Sequence, residues 1–314
     1  MNRRRPFRFG VLAFGEPSRE AWRDQARRAE ALGYATFAIE EHAHSRLAPI
    51  AGMLAAAEAT TSLRVGSCVF ANDFHHPVVL AKEVASLDVL TGGRVEFGFG
   101  TGYWRGDYEQ VGIRFDPPGL RVARFAEAVR LVKAAFAEET VDFAGAYYAV
   151  RGLTLLPKPV QRPHPPLLIG GGSRRILSLA AQEADIVGIN VRATPAGDFD
   201  WDSITPEATD RKVAWVREAA GARFAALELH TLAPFVALTA EPRLAAVGML
   251  HDWGVADIVS VDQLLACPHA LIGTEDQLVE ALYARRERYG VSYVTVFAPA
   301  MEAFAPLVSR LTGH

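Results

Sequence analysis

T-G-G-R-V-E-F-G-F-G-T-G-Y-W, from Thr91 to Trp104, packs a turn, a buried strand and a ligand-facing loop into one short stretch. Gly92 and Gly93 punctuate the end of a preceding helix. Arg94 to Phe99 then places Val95, Phe97 and Phe99 on one face of a strand. Gly98, Gly100 and Gly102 alternate with larger residues, so one face loses its side chains and another backbone, or a flat ligand, can come close. The same glycines fit a barrel corner or a bulge. Their context decides between these readings.

Working outward, the chain repeats strand, helix and loop. Before the stretch come strands at Phe7 to Phe14, Ala35 to Glu40 and Leu63 to Phe70. Each is followed by a helix, of which the second spans Ile50 to Ala59 and the third Val78 to Leu90. After it, Leu120 to Phe136 carries Val122, Phe125, Val129, Val132 and Phe136 at helical spacing. Val141 to Leu156 breaks the rhythm as a hairpin around Gly145, closed by Pro157, Pro159 and Pro163. Strands at Pro166 to Ile169, Ala184 to Ile189, Ala225 to Leu238 and Ser292 to Phe297 then resume it. The helices between them include Arg175 to Gln182 and Glu275 to Tyr289. Asn190 to Pro206 reads as a long polar loop and Glu241 to Cys267 as an inserted helical excursion, and both are expected to be lids over a substrate pocket. Eight alternating pairs in 314 residues predict an α/β fold of the (β/α)8 TIM-barrel type with insertions, as a single domain over 1–314; a doubly wound sheet is the competitor. In a barrel the functional residues belong at strand C-terminal ends: Glu41-His42, Ala71-Asn72, Thr101 to Trp104, Gly170 to Ser173 and Asn190.

Composition excludes several classes. A net charge of -3 with dispersed basic residues gives no electrostatic case for nucleic acid, and Arg3 to Arg5 reads as a solvated terminus. No apolar run approaches the roughly 18 residues of a membrane span, so no membrane partner and a cytoplasmic location are expected. Cys68 and Cys267 are the two cysteines, without metal-ligand spacing, and His75-His76 points to opposite faces of an extended chain, so no metal is expected. G-x-G-x-G at 98–102 is not the dinucleotide fingerprint. No strand end carries the lysine an aldolase would need.

The motifs A-E-A-L-G-Y (29–34), E-H (41–42), H-P-V-V-L-A-K-E (76–83), L-D-V-L-T-G-G-R (87–94), G-F-G-T-G-Y (98–103), P-K-P-V-Q (157–161), P-P-L-L-I-G-G (165–171) and I-G-T-E-D-Q (272–277) run in order along nearly the whole chain. In that order they resemble the bacterial luciferase-like superfamily of flavin and deazaflavin oxidoreductases, and most closely its F420-dependent branch. The resemblance implies a barrel with a tricyclic cofactor across the strand C-termini. It places a catalytic histidine at His42, a cofactor-contacting acid at Glu41 where relatives usually carry Asp, and a cis peptide supporting the cofactor at Cys68-Val69, with Ala71 beside it. Thr101 and Gly102 match cofactor contacts. Tyr103 stands where the sugar dehydrogenases carry an acid; a phenol is a poor proton donor beside a carboxylic acid, so sugar-phosphate oxidation is not expected.

Gly170, Gly171, Gly172 and Ser173, followed by Arg174 and Arg175, sit between strand and helix, where free N–H groups and a positive helix end suit a phosphate; a plain turn would look the same. Tyr103, Trp104 and Phe70 supply flat apolar walls, although aromatics at strand ends also serve as core plugs. The expected cofactor is F420, with FMN as the alternative. F420 is preferred because its polyglutamate tail would give Arg174 and Arg175 the anionic partners that FMN leaves missing. The expected activity is hydride transfer between the deazaflavin and a small organic substrate. FMN-dependent monooxygenation and a non-catalytic flavin-binding barrel are the two competing readings, and a homodimer is left open as the assembly.

Overall fold

A computed structural model describes residues 5–314. Arg3 and Arg4 lie outside the described residues. Eight parallel strands form a ring: β1 (Arg8–Ala13), β2 (Thr36–Ile39), β3 (Arg64–Ser67), β4 (Val95–Gly100), β5 (Leu167–Gly171), β6 (Ile186–Ile189), β7 (Glu228–Ala233) and β8 (Val291–Phe297). Neighbours run β3, β2, β1, β8, β7, β6, β5, β4, and pairing of Val65 with Val95 and Gly66 with Glu96 joins the two ends. That closure distinguishes a barrel from a doubly wound sheet. Parallel strands covered by helices are buried on both faces, which is why T-F-A-I and I-V-G-I are buried throughout.

Helices α1 (Arg19–Ala31), α2 (Pro49–Ala59), α3 (Pro77–Leu90), α4 (Arg105–Val111), α5 (Pro118–Ala137), α6 (Arg174–Glu183), α7 (Pro206–Ala220), α8 (Pro242–Asp252), α9 (Val261–Ala266), α10 (Glu275–Tyr289) and α11 (Met301–Leu311) complete the chain. Local chemistry sets their ends. Ser18 caps α1 through the Ala21 N–H, and Thr274 with Gln277 forms a reciprocal capping box on α10.

The structure departs from the sequence expectations at four places. The third strand does not run unbroken to Phe70: it stops at Ser67, Phe70–Ala71 pairs separately with Phe99 and Gly100, and the peptide between, Cys68-Val69, is cis as the resemblance implied. The seventh ends at Ala233; beyond Pro234, Phe235–Leu238 leaves the barrel to pair with Ala270–Gly273. The 190–206 segment is not an open loop but a short hairpin (Arg192–Ala193 with Phe199–Asp200) and a 3-10 turn. Finally, α4 and α11 are additional helices, whereas the 241–267 excursion is helical as expected, built from α8 and α9.

The glycines of β4 have a definite use. A Cβ added to Gly98 would lie 1.9 Å from the Ser67 carbonyl oxygen, and one on Gly100 would lie 2.7 Å from a Val69 methyl. The bare face is therefore filled by the neighbouring chain and not by a flat ligand. At the opposite end of the barrel, Arg8 pairs with Glu96 and Glu228 at 2.8 and 2.7 Å, with its guanidinium 3.6 Å from the centre of the Tyr293 ring. This charged plug occupies the N-terminal end and leaves the C-terminal mouth for function.

Gly98→Ala is expected to lower stability by at least about 3 kcal/mol, because backbone cannot rotate out of the clash. Gly248→Ala, inside α8 with nothing near the added carbon, should be neutral or stabilising by up to about 1 kcal/mol. Denaturant midpoints compare the two, and an equal effect would show that the β4 face has room to spare.

Candidate active site

The end of β2 brings three acid–base groups to the mouth. His42 Nδ1 lies 2.6 Å from Asp107 Oδ2 on α4, and the other Asp107 oxygen accepts the Ala43 N–H at 2.9 Å. With its proton directed at Asp107 from Nδ1, the imidazole presents Nε2 on its other side, where Glu40 Oε2 stands 3.8 Å away. Glu40 in turn accepts from the Ser45 hydroxyl at 3.1 Å. Sequence reasoning missed both Asp107 and Glu40. Asp107 is 65 residues from His42 and reaches it only because α4 folds back over the mouth; its sole sequence signal is an acid just beyond the Thr101-Gly102 turn.

Glu41 points elsewhere. One oxygen accepts the Ala71 N–H at 2.7 Å and the other lies 2.8 Å from His75 Nε2, so both brace the segment that follows the cis bond. Burial works against the charged His75 imidazole, but the hydrogen bond and charge of Glu41, with Glu83 behind, outweigh it and raise its pKa. His75 is thus a partner of Glu41, and His76 caps α3. Cys68 is half-buried; burial, Glu96 and Glu40 push its thiol up to about 12, so it stays protonated. Phe70 is fully buried against Phe97 and serves as a core plug, not as a wall of the site.

At the end of β4 the backbone is held from behind. The Tyr108 hydroxyl donates to the Thr101 carbonyl at 3.0 Å, and Arg121 donates to that of Gly102. Gly102 has φ +69, and a Cβ there would strike the Tyr108 hydroxyl at 2.4 Å. Tyr103 and Trp104 meet His42 edge-on, at 6.0 and 5.8 Å between ring centres. Burial first, then the charges of Glu40 and Asp107, push the Tyr103 phenol up to about 12.

At the end of β5, Ser173 is the N-cap residue of α6 but makes no side-chain capping bond, and the first turn has no acidic residue. Gly172 lies flat against Val191 and Arg192, where an added Cβ would sit 2.4 Å from the Arg192 nitrogen. Gly170 abuts the Asn190 amide, whose oxygen is buried without a partner. Of the two arginines, Arg174 makes an exposed ion pair with Glu218 of α7 at 2.8 Å, and Arg175 is exposed and has no carboxylate partner among the described residues. Lys212 of α7 donates to the Asn190 and Ser203 carbonyls at 2.8 and 2.7 Å, tying the 191–206 hairpin to the end of β6. Burial lowers its pKa to about 8.

A closed eight-stranded barrel with a histidine–carboxylate pair at its C-terminal mouth and an open helix N-terminus beside it defines an α/β barrel with a built site. The luciferase-like monooxygenase family model matches residues 7–201, and the chain belongs to that family. It is 32% identical over 127 residues to an FMNH2-dependent dimethylsulfone monooxygenase of Pseudomonas putida, and 30% identical over 184 residues to an uncharacterised protein of Mycobacterium tuberculosis. These alignments take in 40% and 51% of this chain and span 35% and 64% of the relatives' lengths. Among solved structures, a monooxygenase from Streptomyces bottropensis matches with a TM-score of 0.74 at 24% identity over 95% of this chain and 98% of the other. An F420-dependent secondary alcohol dehydrogenase in complex with an F420-acetone adduct matches at 0.79 and 16% over 98% and 99%. Both share the fold. No helix among the described residues is long and apolar enough to cross a membrane.

The raised pKa of His75 has a definite sign for stability. The extra stability is fully present below its ordinary value of about 6.5 and is lost as pH rises through the higher folded value. The protein should therefore exceed His75→Gln by about 1 to 2 kcal/mol at pH 5.5, narrowing at pH 8.5. A gap that widens with pH in denaturant titrations would contradict the His75–Glu41 assignment.

Proposed function

We propose that the protein is an F420-dependent oxidoreductase of the cytoplasm, its 1–314 chain acting as one domain that passes a hydride between the deazaflavin and a small organic substrate. The observation that carries this reading is the N-terminus of α6. Among the described residues, Ser173 has an uncommitted hydroxyl, the first turn has no acid to compete, and exposed Arg175 stands beside them without a carboxylate partner. A phosphate fits the first two features, and a polyanionic tail beyond it gives Arg175 its partner. FMN is the second reading, favoured by two observations: the sequence relative that uses FMNH2, and the engagement of Arg174 with Glu218, which leaves one cation in place of two.

When bound, the cofactor donates or accepts a hydride at its ring carbon. The chain's own residues do the rest. The α6 N–H groups and Ser173 hold the phosphate, Gly170 to Gly172 let Asn190, Ile176 and Arg192 pack against the loop that leads to them, and the backbone at Cys68, Val69 and Ala71, with Thr101, Gly102 and Tyr103, bounds the ring. His42 takes the proton released by an alcohol oxygen, or returns one to a carbonyl oxygen, at Nε2, while Asp107 fixes the other nitrogen as a donor. Tyr103, with its phenol held near 12, stays neutral and orients without transferring a proton. Glu41 acts through the brace on Ala71.

His42→Ala and Asp107→Asn are each expected to lower kcat about a hundredfold or more while changing cofactor Kd less than about threefold. Equal losses in both would make the pair a binding contact, and cofactor binding without turnover by any donor would identify a non-catalytic barrel. Titration of the cofactor-free protein should give tighter binding of F420 than of FMN, weakening with added salt and in Arg175→Ala. Tighter FMN binding would move the protein to the FMN-dependent monooxygenases.

A further inference from the structure

An aromatic collar surrounds the mouth of the barrel. It begins at His42 after β2, whose ring meets Tyr103 at 6.0 Å, and Tyr103 stacks on Phe199 of the 191–206 hairpin at 5.4 Å and 27°. Phe199 leads to Trp201 at 5.8 Å and Trp201 to Trp253, just after α8, at 6.4 Å. Trp253 lies over Phe297 at the end of β8 at 6.5 Å and 24°, and Phe297 meets Phe14, the residue after β1, at 5.0 Å. Because β1 pairs with β2, the series returns to the strand next to its starting point. The rings come from several separate loops and insertions, so packing within one element does not account for the series. Tyr103, Phe199 and Trp253 are 37%, 37% and 38% exposed, which leaves much of this aromatic surface in water.

The charges around the collar narrow what it takes. The carboxylates of Glu40 and Asp107 act on the Tyr103 phenol. Two cations beside the hairpin are engaged: Arg192 pairs with Asp200 at 2.5 Å, and Arg105 lies over Phe115 while donating to the Ala196 carbonyl. A negatively charged ligand would meet the carboxylates of Glu40 and Asp107 beside Tyr103, whereas a flat neutral one would find exposed ring surface on Tyr103, Phe199 and Trp253.

We infer that the collar is the substrate seat and that the substrate class is a neutral, planar aromatic molecule. This rests on the oxidoreductase reading of the same mouth. The collar and the hairpin supply its binding, while His42 Nε2 addresses a hydroxyl or carbonyl on its edge.

Calorimetric titration with 2-naphthol, decahydro-2-naphthol and naphthalene-2-sulfonate, with and without bound cofactor, tests the inference without relying on turnover. The naphthol should bind at least about tenfold more tightly than either analogue. Phe199→Ala and Trp253→Ala should each weaken it about tenfold while leaving cofactor affinity unchanged. Comparable affinity for the saturated alcohol or the sulfonate, or full affinity in both variants, would overturn the collar as an aromatic seat. Naphthol binding that survives in a protein with no affinity for F420 or FMN would support the seat and overturn the oxidoreductase reading.

Discussion

The close approach of β3 and β4 is the constraint on which the rest of the site depends. Ser67 and Val69 occupy the space that side chains at Gly98 and Gly100 would need, and the Ser67 hydroxyl donates to the Gly98 carbonyl at 2.7 Å while accepting its N–H at 3.1 Å. This contact lets the barrel close between two strands of which one ends early. It also sets where Val69 enters the barrel interior beside Leu168, Ile186 and Tyr293, and where Ala71 emerges to meet Glu41. Steric exclusion is the dominant effect here: a hydrogen bond contributes about 1 kcal/mol, whereas an atom 1.9 Å from a carbonyl oxygen is not tolerated without moving backbone.

Carboxylates organise the mouth built on that contact, in several distinct roles. Glu41 braces the segment after the cis bond, Asp107 sets His42, and Glu40 faces Nε2. Asp73 and Asp116 share Arg124 at 2.7 and 2.8 Å, and the Tyr108 hydroxyl, with one proton to share between the Thr101 carbonyl and Asp73, lies 3.0 Å from the latter, which ties the loop after β3 to α4 and α5. Removing one member of such a network leaves its partner's charge desolvated, so each is worth more as part of the set than as an isolated pair. The outcome is a cross-linked rim holding a histidine whose outward nitrogen faces Glu40 at 3.8 Å.

The barrel was legible because buried parallel strands read as short apolar runs and their helices begin with Ser, Thr or Pro. Strand seven was overextended because Phe235 to Leu238 is as apolar as the strand before it, and only its pairing with Ala270–Gly273 reveals a separate element. His42, Thr101 and the glycine loop could be named from motifs that lie on strand ends. Asp107 could not, since a seven-residue helix gives little periodicity and its partner is distant in sequence. Arg174 and Arg175 are indistinguishable as letters. The packing of α6 against α7 gives one of these exposed arginines Glu218 as a partner and not the other. The glycines of β4 were recognised as a bare face, but sequence could not say what fills it.

A crystal structure of the protein with its reduced cofactor tests the account most directly. The ring should lie beside the Cys68-Val69 peptide with the phosphate within hydrogen-bonding distance of Ser173 Oγ, and His42 should keep its contact with Asp107 while Nε2 faces the aromatic collar. A phosphate seated instead in the cavity lined by Asn72, Arg114 and Arg124, or a His42 turned away from Asp107, would contradict it.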